Sequence, residues 1–352
     1  MSAFAMRALV EALCSERCAG RAPGTPGGEA GREIIAGALA AGGLAVSEQS
    51  IPGCFGANLL SSIPASGSSV EATERWVLLA AHHDHLGRHG RKTYWGADDN
   101  ASAIAVLVTV AHALAHERPQ RRGVLLAAFD SEEPPYFLSD AMGSEWYAAH
   151  SPVPLDRIDA MLCMDIVGHA LGDERFPADV RGSIFALGAE RSVGTAAHLD
   201  ALAEVEPRLW VRRLDAEIIP PLSDYDAFWN RGVPFVFLTC GRSRHYHTPD
   251  DTPEKLDYEK MAALARWLER WTRETCARPE ARVVFDNRRD DASTVRTLIA
   301  VLRSLEPVLP EAATGRALAE TLLAKCDAQG RLATADRACV SELMRRLESG
   351  LE

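Results

Sequence analysis

No stretch of this 352-residue chain approaches the roughly 20 consecutive apolar residues needed to cross a bilayer, so no membrane partner is expected. Its first twenty residues, MSAFAMRALVEALCSERCAG, lack the continuous apolar core of a secretory leader and place Arg7 and Glu11 among their apolar positions. They read as an amphipathic helix, and the expected location is cytoplasmic. Clustered cations are also missing: 38 Lys and Arg stand dispersed among 49 Asp and Glu, for a net charge of -11. That balance argues against nucleic acid as a partner, because phosphate recognition needs concentrated positive charge. Aromatic content is only 7%, yet 47% hydrophobic residues at this length suffice for one large core, alone or with a small appendage. Without an export signal, the eight cysteines are expected as reduced thiols. Cys14 and Cys18 share a helix face but have no second Cys or His pair nearby, so they read as buried thiols rather than metal ligands.

Residues 20–31, GRAPGTPGGEAG, lack the Gly-Lys-Ser/Thr ending of a phosphate-binding loop and are expected as a surface turn. REIIAGALAAGGL then reads as a short helix stopped at Gly42-Gly43. From Trp76 onward, short apolar runs alternate with longer helical stretches: WVLLAA, ASAIAVLVTVAHALA, VLLAAF, GSEWYAAH, AMLCMDIV and, later, PFVFL. Continuous apolar strands separated by helices predict an α/β fold, with a mixed, largely parallel sheet sandwiched by helices. The helix DYEKMAALARWLERWTRETCA closes this domain, 1–278. A linker follows, whose DNRRDD run lacks the Gly and late Glu of a calcium loop. STVRTLIAVLRSLEPVL, GRALAETLLAKC and ADRACVSELMRRLESGL carry apolar residues at helical spacing and predict a small all-helical C-terminal appendage, 279–352.

The chemistry concentrates at the predicted strand ends, where α/β sheets place their ligands. His82 and Asp84 lie two apart after WVLLAA, which directs them to one side and lets Asp84 orient His82 as a ligand. Asp99, one of two adjacent acids after a glycine in GADDNASA, is the candidate bridging ligand, although Asn100 and Ser102 alone would be ordinary helix caps. Glu132 and Glu133 follow VLLAAF directly, and two adjacent like charges there are costly unless a cation or solvent relieves them. Asp165 ends an apolar strand with no Lys or Arg within seven residues on either side, so it must be paired from afar, protonated or metal-bound. His247 and His245 compete for one ligand position on the loop RHYHTPDDT. The set His82, Asp99, Glu133, Asp165 and a loop histidine suits two Zn²⁺. Their four positive charges are balanced by three carboxylates and a hydroxide, and Glu132 is left to move protons. Cobalt or manganese would accept the same donors.

The motifs AHHDHLG, GADDNAS, FDSEE, MDIVG, SDYDAF…GVPFVFL and YHTPDDT stand in an order that resembles the co-catalytic zinc aminopeptidases, a family that includes bacterial leucyl aminopeptidases and, more distantly, glutamate carboxypeptidase II and glutaminyl cyclases. The resemblance covers roughly residues 8–275 and implies the zinc exopeptidase fold. It implies one zinc on His82 and Asp165 and another on Glu133 and His247, which selects His247 over His245, with Asp99 bridging. It further implies Glu132 as general base, Tyr246 as a hydrogen-bond donor to the oxyanion, and a cis peptide at Asp99–Asn100. The expected activity is removal of an N-terminal residue from peptides. Glutaminyl-peptide cyclisation is the alternative, and a carboxypeptidase or a non-catalytic relative ranks lower. The chain departs from the pattern by inserting PPYFLSDAM before Gly143-Ser144, by Tyr225 where His is common and by Ala103 where Gly is usual. Tyr136, Phe137 and Tyr225 are therefore the candidate substrate-binding residues. The C-terminal helices have no counterpart in minimal members, and packing, homo-oligomer formation or covering the active-site mouth are their candidate roles.

Overall fold

The computed structural model describes residues 2–221 and 223–351. The strands, in chain order, are β1 (Ser47–Ile51), β2 (Gly56–Ile63) and β3 (Trp76–His82), followed by a separate hairpin of β4 (Gly87–His89) and β5 (Lys92–Tyr94). After it come β6 (Gly123–Phe129), β7 (Ile158–Met164), β8 (Ser183–Leu187), β9 (Trp210–Leu214) and β10 (Phe235–Thr239). Eight of them form one sheet in the order β1-β2-β6-β3-β7-β10-β8-β9. The central strands β6, β3, β7 and β10 are mutually parallel, whereas β2 and β8 run antiparallel to their inner neighbours. This is the predicted mixed, largely parallel sheet. Every residue of β3, β6 and β7 is buried, as continuous apolar runs covered on both faces require. The edge strand β1, SEQSI, is mostly exposed and polar.

Alternation along β3 feeds two cores. Val77, Leu79 and Ala81 face the helices Ala3–Leu13, Ala103–His116 and Tyr258–Ala277, while Trp76, Leu78 and Ala80 face the other layer. That second layer includes the C-terminal helices Asp291–Leu305, Ala312–Leu323 and Thr334–Leu351. Val295, Leu302 and Leu343 from these helices belong to the same buried cluster as Leu214 and Phe235 of the sheet. All eight cysteines are free thiols. Among the described residues, no helix is long and apolar enough to cross a membrane.

The glycine-rich run 20–31 is not the turn its composition suggests. A helix begins at Pro26 within it, capped by the Thr25 hydroxyl, which accepts from the Gly28 amide at 3.1 Å. The glycines serve close approach: a Cβ on Gly27 would lie 2.1 Å from the Cys18 carbonyl oxygen, and one on Gly28 2.4 Å from that of Ala22. Just before this helix, the buried Arg21 donates to the carbonyls of Leu13, His83, Trp95 and Gly96 at 2.7–3.0 Å. It thereby ties the segment after β3 to the turn that carries Asp99.

A second buried ionic knot secures the opposite end of the sheet. Asp159 on β7 accepts from Arg75, from Arg122 at 2.6 Å and from the amide of Val283, while Arg122 also donates to the carbonyls of Arg278 and Glu280. Burial raises the Asp159 pKa, but the two guanidiniums outweigh it and hold the carboxyl below its usual range. Asp159→Ala leaves Arg122 buried without its counter-charge and is expected to cost about 3–5 kcal/mol, visible in calorimetry as a Tm loss on the order of 5–10 °C. Because the folded pKa is depressed, this stabilisation is present above the unfolded value of about 4 and disappears as pH falls through the folded one. The gap between variant and parent should therefore narrow in acid.

Candidate metal centre

The predicted ligands leave the sheet at one edge, the carboxyl ends of the parallel strands. His82 is the last residue of β3, Asp165 immediately follows β7, and Glu132 and Glu133 follow β6 after two residues. Asp99 lies in the irregular turn Ala97–Ser102, and the Asp99–Asn100 peptide is cis, as the resemblance implies. His247 sits on the loop after β10.

These positions converge. His82 Nε2 is 3.2 Å from Asp165 Oδ1 and 3.3 Å from Asp99 Oδ1. His247 Nε2 is 3.1 Å from both Asp99 Oδ2 and Glu133 Oε2. The two oxygens of Asp99 thus face different histidines, as a bridging carboxylate must. Donor atoms of His82, Asp99 and Asp165 lie within 4.8 Å of one another, and so do those of His85, Asp99 and Glu133. His85 is a residue that motif reading passed over. It is fully buried, with Nδ1 2.8 Å from Glu133 Oε1, and its ring packs so tightly on Gly96 that a Cβ there would lie 2.5 Å from it. Only its place beside Asp84 in HHDH signals it. Glu132 belongs to neither group of donors, although its Oε2 is 3.8 Å from His82 Nε2.

The charges show what is missing. Asp84, Asp99, Glu132, Glu133 and Asp165 are all buried, and among the described residues their ion pairs are with histidines alone, with no Lys or Arg. Burial, reinforced by neighbouring carboxylates, pushes the Glu132 carboxyl well up, and burial likewise raises Asp165. Burial alone would lower His82 and His247, yet the surrounding carboxylates hold both far above the usual histidine range, His247 at about 10. A divalent cation would supply the positive charge that these carboxylates attract, and the nitrogen and oxygen donors suit zinc.

A surrounding layer of hydrogen bonds fixes the donors. Asp84 accepts the backbone N–H of Glu132 on one oxygen and that of Glu133 on the other, both at 3.1 Å, while Oδ1 also lies 3.5 Å from His82 Nδ1. Asp84 thus ties the glutamate pair to the segment that follows β3. Asp251 accepts the N–H groups of Asp98 and Asp99, and Asn100 donates to the Met164 carbonyl at 2.9 Å, linking the Asp99 turn to the end of β7. Three non-glycine residues beside the ligands adopt left-handed backbone: Ser131 (φ +60°), Ile166 (φ +53°) and His247 (φ +53°). For the β-branched Ile166 this conformation is strained, and such strain gathers at functional sites.

Tyr246 stacks on His247 with ring centroids 3.8 Å apart, and burial together with the nearby carboxylates raises its pKa, so the phenol keeps its proton and remains a donor. The other aromatic candidates are placed differently. Tyr225 is fully buried in the second core, stacked on Phe237 at 4.7 Å and on Phe235 at 5.4 Å; it is a packing residue, because its helix lies against the sheet. Tyr136 and Phe137 are half-buried on the loop after Glu133, and neither they nor Tyr225 line the cavity that reaches Asp165 and Tyr246.

Comparison with known proteins bears on the fold and the family. The uncharacterized protein YfbL of Escherichia coli (strain K12) is 31% identical over 214 residues, which cover 53% of this chain and 63% of that one, so the chain spans under two thirds of this curated relative. Among solved structures, the glutaminyl cyclase of Porphyromonas gingivalis superposes with a TM-score of 0.61 at 21% identity, over 78% of this chain and 98% of that one. The LapA aminopeptidase of Legionella pneumophila gives 0.63 at 14% identity over 79% and 73%. A Zn-dependent exopeptidase from Parabacteroides distasonis gives 0.59 at 19% identity over 79% and 98%. These likenesses establish the zinc exopeptidase fold. Residues 58–272, which contain every ligand candidate, match peptidase family M28, and the chain belongs to that family.

Proposed function

We propose that this protein is a two-zinc aminopeptidase that removes the N-terminal residue of peptides. The observation that carries the proposal is the division of the Asp99 carboxylate between two groups of donors, with Glu132 beside them and in neither. When bound there, zinc supplies polarisation of the substrate carbonyl and a water whose pKa is lowered to about 7. His82 and Asp165 hold one position; Glu133 and His247 hold the other, with His85 within reach of the same Glu133 oxygen pair. Glu132 takes the proton from the attacking water and returns it to the departing amine, a shuttle its buried carboxyl is placed to perform. Tyr246, kept protonated, donates to the oxygen that gains charge as the carbonyl is attacked. Asp84 keeps His82 and the glutamate pair in register throughout.

The likeness to glutaminyl cyclases and the inserted segment 134–142 favour a second reading, closure of N-terminal Gln to pyroglutamate. Mass spectrometry of a mixed peptide library incubated with zinc-loaded protein separates the two. Stepwise loss of N-terminal residues is expected. Ammonia loss confined to N-terminal Gln would replace the aminopeptidase with a cyclase.

A further inference from the structure

A cavity of about 690 Å³ opens beside the ligands, with Asp165, Ile166 and Tyr246 at one end. Its middle is apolar, formed by Leu171, Leu187, Leu214, Ile218 and Phe237. The C-terminal helices contribute to the same lining: Leu298 and Val301 from Asp291–Leu305, and Met344, Leu347 and Leu351 from Thr334–Leu351. None of these five residues lies in the segment that matches the family. The volume is that of sites enclosing whole drug-sized ligands, about 300–1,000 Å³, and exceeds what one amino-acid side chain fills.

Two hydroxyls in the wall are already engaged. The Thr297 hydroxyl donates to the Arg213 carbonyl at 2.7 Å, and that of Thr239 accepts from the Gly241 amide at 3.0 Å. At the rim, Arg242 pairs with Glu348 at 3.2 Å and lies 6.0 Å from the centre of the Tyr246 ring, which joins the last helix to the loop carrying His247. Against the apolar part of the wall a polar group would lose water without a partner, whereas an apolar one gains the burial; the lining also holds the polar side chains of Glu217, Ser341 and Arg345.

We infer that the C-terminal helices are a specificity element: they close a chamber for an apolar group larger than any natural side chain, a long alkyl or extended aromatic moiety carried by the N-terminal unit of the substrate. The placement of that unit rests on the proposed aminopeptidase reaction at Asp165 and Tyr246. The binding of the apolar group does not.

Two arms keep the ideas separable. Calorimetric titration of the zinc-loaded protein with n-alkylamines from butyl to octyl should show affinity rising about 3–4-fold per methylene. Met344→Trp and Leu298→Trp, on different helices and checked for unchanged metal content and melting temperature, should each flatten that series and cost octylamine at least about tenfold. A series without chain-length dependence, or one that both folded variants leave intact, would overturn the inference. In the second arm the parent protein is offered tryptophanyl and 2-aminotetradecanoyl p-nitroanilides, the second carrying a dodecyl chain longer than any natural side chain. Preference for the longer substrate is expected. Equal rates would sink the specificity role alone, and no cleavage of either, with the alkylamine series intact, would sink the aminopeptidase reading while leaving the chamber.

Discussion

Glu132→Gln should leave the zinc content of this protein unchanged and lower turnover by about 10²–10⁴-fold, the usual share of a positioned proton carrier. Glutamine matches glutamate in size and still forms hydrogen bonds, so the buried pocket around residue 132 stays filled and the backbone N–H bonded to Asp84 is undisturbed. What disappears is the ability to accept a proton at Oε2, the atom 3.8 Å from His82. Elemental analysis beside a kcat measurement gives the decision. Loss of metal would make Glu132 a ligand rather than a base, and full turnover would remove it from the chemistry altogether.

The second large effect concerns Asp99. Its two oxygens serve both donor groups, so Asp99→Ala is expected to take the protein from two zinc ions per chain to none, whereas Asp165→Ala, which touches one group, should remove one. The metal-free proteins supply a control on folding. In the absence of a cation, the Asp99 carboxylate lies 3.3 Å from His82 and 3.1 Å from His247, and despite burial these rings hold its pKa well below the usual range, so deleting it should also lower the melting temperature of the metal-free protein, a loss to be subtracted before the effect of zinc is read. Zinc at a hundred times the Kd of each site adds about 2.7 kcal/mol per site to the stability of the parent by mass action, and the variant should forfeit that rise. Retention of one tight equivalent by Asp99→Ala would show that the two positions are independent and that the carboxylate does not bridge.

Much of this was visible in the residues because burial leaves a compositional mark. β3, β6 and β7 are covered on both faces and read as unbroken apolar runs, so the polar residues at their ends stood out, and those were His82, the glutamate pair and Asp165. The supporting residues left no such mark. Arg21 sits in a glycine- and proline-rich run that resembles a turn, and its four carbonyl partners are distributed over more than seventy positions of chain. Asp251 is one of two adjacent acids in a loop, and nothing local says that its oxygens hold the Asp98 and Asp99 amides. His85 was hidden among four neighbouring histidines and acids, since which of them turns inward depends on the path of the loop after β3. Tyr225 shows the same limit from another side: its motif position marks it as a candidate for substrate binding, and the structure places it buried against the sheet, stacked on Phe235 and Phe237.

Asp84 holds one further implication. Because a single carboxylate accepts from the amides of Glu132 and Glu133 and faces the ring of His82, the ends of two neighbouring strands are tied together at the candidate metal centre. Any relative displacement of β3 and β6 must stretch these hydrogen bonds before it can separate His82 from the glutamate pair.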